Sequence, residues 1–362
     1  VSDRIYKSGE PWAWPLIPSV VANGTNDINP SYLEVSFSNV CNFKCAYCTP
    51  EVSSKWFEEI KEYGPYPTSW KTGELKPMYL HNEYNPYVEA FWKWWPELST
   101  SLTNLRVTGG EPLLSKDVWA LFEKLENDPN LNPELTLGIN TNLNVPRSLI
   151  DKLISFINRI APRIKYVQIF TSNEATGEQA EYIRFGLNYD EWYSNLQLLI
   201  ENLPANASVG IMTTVNVLSL STFPNFIEDV VSLRRKYFKS YDNNNIILSV
   251  NYLRWPPFLH VEQAPDSLKV ETIHKLTEII EKYKDCISYI TGDYAILFPS
   301  DIEKINMLCN LLRAPVTEDA RNLSDFYKFI EEYDKRKGTN FDLTFPELLE
   351  FKNKCKRLSA HE

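Results

Sequence analysis

Between Leu33 and Leu253, short runs of β-branched and aromatic residues alternate with longer amphipathic stretches. A chain that repeats strand and helix in this order builds β/α units, in which parallel strands are joined by helices that cover the sheet. Strands are expected at Leu33–Asn39, Leu102–Thr108, Leu135–Asn140, Lys165–Thr171, Ser208–Val215 and Ile246–Leu253. Helices between them follow from apolar residues three and four apart: Val88, Phe91, Trp92 and Trp95; Val118, Leu121, Phe122 and Leu125; Leu149, Leu153, Phe156 and Ile157. Two more are expected near Tyr189–Asn202 and Phe226–Phe238, and Ser267 is a candidate cap for one ending near Lys284. Past Pro299 the pattern is helical throughout, at Asp301–Leu312, Glu318–Lys335 and Phe345–Arg357. The run Trp255-Pro256-Pro257-Phe258 punctuates the end of the sixth strand. It divides the chain into an irregular segment 1–32, a β/α unit 33–257 and a C-terminal part 258–362.

The 362 residues carry a formal charge of −10, which argues against general nucleic-acid binding, because phosphate contacts require a basic face. Trp92, Trp94 and Trp95 beside Phe91 are read as core packing and not as a stacking platform for bases. No run reaches the roughly 18 apolar residues that span a bilayer, and the start lacks a secretory pattern. A soluble, cytoplasmic protein is expected. The chain opens on Val1, so residues are expected to precede it. None of His81, His260, His274 and His361 stands at a ligand-like spacing.

Three of the six cysteines, Cys41, Cys45 and Cys48, fall within eight residues just after the first expected strand. A disulfide framework belongs to small secreted domains, so the trio is read as a metal site in a reducing compartment. Two chemistries suit it. One is a structural zinc loop completed by a distant Cys or His. The other is an iron–sulfur cubane in which each thiolate holds one corner and the fourth iron keeps no protein ligand.

The spacing Cys-x3-Cys-x2-Cys, with Tyr47 before the last cysteine, resembles the signature of the radical S-adenosylmethionine (radical SAM) superfamily. Further segments resemble that family in the same order. Gly109-Gly110-Glu111-Pro112 after the second strand looks like its site for the SAM amino group; glycines admit close backbone approach and Glu111 can accept from an ammonium. Asn140-Thr141-Asn142 is similar to its segment near the ribose, and a helix-capping turn uses the same residues. Ser172 and Arg184, twelve residues apart, match the pair that holds the SAM carboxylate in peptide-modifying members; the alternative is a surface Arg184 paired with Glu181 or Asp190.

The resemblance implies an α/β fold, a six-stranded partial (β/α)6 barrel of the radical SAM type with a helical C-terminal extension. It implies a [4Fe–4S] cluster on Cys41, Cys45 and Cys48, and SAM bound by Tyr47, Gly109, Gly110, Glu111, Asn140, Asn142, Ser172 and Arg184. The reaction it implies is reductive cleavage of SAM to a 5′-deoxyadenosyl radical that takes hydrogen from a substrate, with an electron donor such as flavodoxin or ferredoxin. Val250 to Phe258 and Asp334 to Leu349 resemble the twitch branch, related to families that often modify peptides and carry auxiliary clusters. A peptide or protein substrate is therefore expected. A small metabolite, nucleoside or sugar is the alternative, and a non-catalytic, metal-stabilised interaction protein is the second. Cys286, Cys309 and Cys355 lack the auxiliary spacing, so no auxiliary cluster is expected from them. They read as small buried hydrophobes, with a hydrogen donor to a substrate radical as the other reading.

Overall fold

The computed structural model describes residues 9, 13–14, 17–24, 29–70, 79, 83–237, 245–284 and 296–360. Its strands are β1 (Tyr32–Ser36), β2 (Lys44–Cys45), β3 (Asn104–Thr108), β4 (Thr136–Asn140), β5 (Tyr166–Ser172), β6 (Arg184–Phe185), β7 (Ala207–Met212) and β8 (Ile246–Ser249). The helices up to β8 are α1 (Ile17–Asn23), α2 (Ser54–Tyr63), α3 (Pro86–Ser101), α4 (Lys116–Asn127), α5 (Arg147–Ile160), α6 (Gly177–Ile183), α7 (Tyr189–Glu201) and α8 (Phe223–Tyr237). After β8 come α9 (Asp266–Tyr283), α10 (Pro299–Arg313), α11 (Ala320–Lys337), α12 (Phe341–Thr344) and α13 (Leu349–Ser359).

Six strands form one parallel sheet in the order β1-β3-β4-β5-β7-β8, and β2 pairs with β6 in a separate antiparallel ladder. Because the large sheet follows chain order without a reversal, its crossovers return over one face, as in a barrel wall and unlike a doubly wound sheet. The sequence shows why the faces differ. Val35, Leu105, Val107, Leu137, Ile139, Val167, Ile169, Val209, Ile211 and Leu248 alternate onto the helix-covered face and are buried. There the stacked rings of Phe122 and Phe156, 4.2 Å apart, join α4 to α5. Each such side chain withdrawn from water contributes roughly 1.5–3 kcal/mol. The opposite, concave face carries Glu34, Arg106, Asn140, Gln168, Phe170, Ser172 and Met212, half-buried or exposed.

The C-terminal helices are tied to this wall by buried polar contacts. Arg234 on α8 pairs with Asp301 on α10 and donates to the carbonyls of Ile246 and Ile296, each at 3.0 Å. Asp334 on α11 accepts from the Tyr182 hydroxyl at 2.9 Å, from Thr339 Oγ1 at 2.7 Å and from the Phe341 amide at 2.8 Å.

Several expectations change in detail. Phe37–Asn39 leaves the sheet to enter the cysteine loop, and beyond Met212 only Val215 bridges to Tyr252. Ser267 lies inside α9 and not at its cap, which is Pro265. The helix expected at Phe345–Arg357 begins as a 3-10 turn at Pro346–Leu348 and continues as α13, and it is kept separate from α12 because Pro346 has no N–H to continue a helix. Helices α1, α2, α6 and α12 and strands β2 and β6 lie outside the expected elements. Trp95 is 1% exposed, as core packing requires, but Trp94 is 38% exposed and donates to Asn29. Cys286, His81, His361 and Phe238 lie outside the described residues. No helix among the described residues is long and apolar enough to cross a membrane.

Candidate active site

The loop leaving β1 carries the three cysteines and is held by short-range bonds of its own. Ser53 caps α2, accepting from the Trp56 amide, and its hydroxyl donates to the Phe43 carbonyl at 2.8 Å. The Trp56 indole donates to the Cys45 carbonyl at 2.9 Å, and Ser54 Oγ accepts from the Cys41 amide at 3.1 Å.

The turn after β3 lies directly on this loop. The Glu111 amide donates to the Val40 carbonyl at 2.6 Å. A Cβ on Gly110 would sit 2.2 Å from that carbonyl oxygen and 2.6 Å from the Asn39 oxygen, and one on Gly109 would sit 2.7 Å from the Ser38 oxygen. Gly109 has φ +130°, a conformation that only glycine adopts readily. The Gly-Gly pair thus lets two backbones touch immediately before Cys41.

Glu111 is 1% exposed. Its carboxylate accepts from the Asn142 amide at 2.5 Å and from the Leu113 amide at 3.1 Å. Burial pushes its pKa up to about 7 against these bonds. Asn142 reaches the cysteine loop as well, its side-chain nitrogen donating to Asn42 Oδ1 at 2.7 Å. Asn140 Oδ1 accepts from Arg106 Nε at 3.1 Å on the concave face. Arg106 lies 4.5 Å from the Phe170 ring centroid, with Nη2 3.5 Å from the Met212 sulfur.

Arg184 is not at the surface and pairs with neither Glu181 nor Asp190. It is 5% exposed, with Nη2 2.5 Å from Glu174 Oε2, Nη1 4.0 Å from Cys45 Sγ and a buried Nε that has no partner. Glu174, fully buried, also accepts from the Tyr47 hydroxyl at 3.0 Å. Ser172 ends β5, opposite Met212. Cys309 on α10 and Cys355 on α13 are buried.

The donor set can be tested against the two metal chemistries. Among the described residues no three His, Cys, Asp or Glu side chains converge where a single ion would sit. Tetrahedral zinc needs its thiolates about 2.3 Å from one centre, whereas a cubane spreads its thiolates over separate irons. Burial raises the Cys41 thiol to about 12 and those of Cys45 and Cys48 upward too, so their deprotonation calls for a strongly cationic partner, a demand that zinc and iron meet alike and that leaves geometry to decide. The three residues fit the cluster better than zinc.

Sequence reasoning assigned no role to Glu174, Asn42 or Arg106. Their partners Tyr47, Asn142 and Asn140 stand 127, 100 and 34 residues away, and no local pattern announces such pairs.

A family model for the radical SAM superfamily matches residues 35–230, more than half of the chain. GTP 3′,8-cyclase of Aeromonas hydrophila is 32% identical over 100 residues, covering 28% of this chain and 24% of the relative. The enzyme of the same name from Nautilia profundicola is 31% identical over 111 residues, covering 31% and 27%. Molybdenum cofactor biosynthesis protein 1 of Dictyostelium discoideum is 22% identical over 217 residues, covering 59% and 29%. The chain thus spans about a quarter of the length of these curated relatives. Among solved structures, Streptococcus suis SuiB bound to its precursor peptide SuiA aligns with TM-score 0.45 at 13% identity, over 75% of this chain and 51% of that one. SuiB bound to S-adenosylmethionine aligns with TM-score 0.41 at 14% identity, over 78% and 55%.

Proposed function

The chain belongs to the radical SAM superfamily, an enzyme family that works with a [4Fe–4S] cluster and SAM, and on that footing we propose that it cleaves SAM reductively and takes hydrogen from a peptide or protein substrate. The observation that carries the reading is the meeting, at one sheet edge, of the three cysteines with the Gly109–Glu111 turn and the Asn142 amide. Once bound, the cluster and SAM supply an electron to the sulfonium and a carbon radical that abstracts hydrogen; the protein supplies position and a dry pocket.

In this reading Cys41, Cys45 and Cys48 hold three irons. Backbone carbonyls at Gly109 and Gly110, with the remaining lone pairs of Glu111, receive the SAM ammonium. Tyr47, Asn140 and Asn142 border the adenosine, and Ser172 with the unpartnered Arg184 Nε is left for the carboxylate. Support for a peptide comes from the sheet's outer strands and rim. Glu34 and Ser36 on β1 are exposed, Ile247 on β8 is 40% exposed, and Trp255 is 58% exposed while stacked 4.6 Å from Trp70. A chain lying across such a face would itself shut water out of it.

Arg106 favours a second reading, a small anionic metabolite such as a nucleotide. Its guanidinium is anchored by Asn140 and Phe170 and has no carboxylate partner among the described residues. GTP 3′,8-cyclases, similar over a short stretch, carry such a substrate in their name.

Anaerobically reconstituted, reduced protein is expected to convert SAM to 5′-deoxyadenosine; a full cluster without that product overturns the proposal. Deuterium appearing in 5′-deoxyadenosine from labelled peptides supports the first substrate class, and label from GTP or another nucleotide replaces it with the second.

A further inference from the structure

The two-residue strands β2 and β6 set Arg184 directly opposite Cys45. Residues paired across an antiparallel ladder project to the same face within side-chain reach. Backbone pairing therefore holds the guanidinium against a ligand sulfur, with Nη1 4.0 Å from Cys45 Sγ. The other arm is taken by Glu174 at 2.5 Å, and the two side chains are only 6% and 1% exposed. Glu174 is fixed in turn by the Tyr47 hydroxyl at 3.0 Å and the Thr214 amide at 3.3 Å. One full charge of each sign thus lies in the dry wall behind a single cysteine, with the cation the nearer to its sulfur.

Charges act strongly in such a medium, and the net charge and N–H groups around the sulfurs set the reduction potential of a cluster. We propose that Arg184 and Glu174 are positioning residues that set the electron affinity of the cluster held by Cys41, Cys45 and Cys48. The guanidinium stabilises the reduced, more negative state; the carboxylate moderates it and keeps both Arg184 and Tyr47 in place. This inference rests on the radical SAM reading of the cysteine loop. It gives the two terminal nitrogens, both committed within the protein, a role beyond the sequence expectation for Arg184, for which only Nε is left.

The test is an EPR-monitored redox titration of the reconstituted full chain without SAM, alongside SAM binding. Arg184→Met is expected to lower the potential and Glu174→Gln to raise it. Each shift is a roughly tenfold change in the ratio of reduced to oxidised cluster at a fixed poise, about 59 mV for one electron. Arg184→Lys, which keeps the charge, is expected to stay near wild type and guards against loss of the fold in the methionine variant. Shifts of the same sign in Arg184→Met and Glu174→Gln overturn the proposal, since a merely structural role would move both variants alike. Unchanged potentials with SAM binding weakened tenfold or more in Arg184→Met also overturn it, leaving Arg184 as a SAM ligand only. If wild type yields no [4Fe–4S] signal, the functional reading falls and takes this inference with it; if the cluster forms with the wrong shifts, only the inference falls.

Discussion

On its sheet side the cysteine loop meets backbone, through Gly109, Gly110 and the amide of Glu111. On its helix side it meets charge and aromatic rings. Lys337, at the end of α11, bonds both oxygens of Glu59, at 2.9 and 2.8 Å, with its ammonium 4.7 Å from the Trp56 ring centroid and 4.2 Å from that of Tyr333. Lys44, next to Cys45, pairs with the same carboxylate at 2.6 Å. The sheet side is a fit of surfaces that tolerates no added atom. The helix side is a balance of charges that tolerates change of shape but not loss of a partner. Position is enforced by the first, and stability is drawn from the second.

The largest effect is expected where the fit is tightest. Gly110→Ala puts a methyl group against two backbone oxygens that have no flexible side chain to yield. It is expected to abolish most cluster loading, read as iron content, at a stability cost of about 1–3 kcal/mol. A fully loaded variant would break the contrast between the sides.

Lys337→Met leaves Glu59 with Lys44 as its remaining cation, so the loss should fall near or below the low end of the about 3–5 kcal/mol expected for a broken buried pair. The pH dependence gives the two sides opposite slopes. Burial holds Lys337 down at about 8, below its ordinary 10.5, while Lys44 and Arg336 crowd the same region. The folded chain then binds fewer protons than the unfolded chain, so stability rises as pH climbs from 8 to 10.5. Glu111 is raised from 4.5 to about 7, so the folded chain binds more protons there, and stability falls as pH climbs through that window by up to about 3 kcal/mol. Urea titrations of cluster-free protein across pH should show the first slope vanish in Lys337→Met and the second in Glu111→Gln. The smallest effect is expected from Tyr333→Phe, which removes a hydroxyl that donates to the Tyr182 carbonyl at 2.8 Å, about 1 kcal/mol in thermal or urea unfolding.

The same contrast separates what the sequence made legible from what it hid. The six large strands could be read because one face of each is continuously apolar, and that periodicity is local. The cysteines and Gly-Gly-Glu-Pro were legible because their chemistry sits in a few adjacent residues. Strands β2 and β6 are two residues long and carry no periodicity at all, yet their pairing brings Arg184 to Cys45. Glu174 looked like one more polar residue in a turn, because its meaning depends on Tyr47 far upstream. Ser267 misled because a capping residue type says little when a proline two positions earlier already starts the helix.

The grip of α11 on the loop has a consequence for the order of events during synthesis. Glu59 leaves the ribosome 278 residues ahead of Lys337. At typical elongation rates of about 5–20 residues per second, that interval is on the order of tens of seconds. Throughout it the cysteine segment has α2 but not α11 behind it. The surface around the cysteines is therefore completed by a residue far downstream of them, and a loop gripped on both sides forms only once Lys337 has been made.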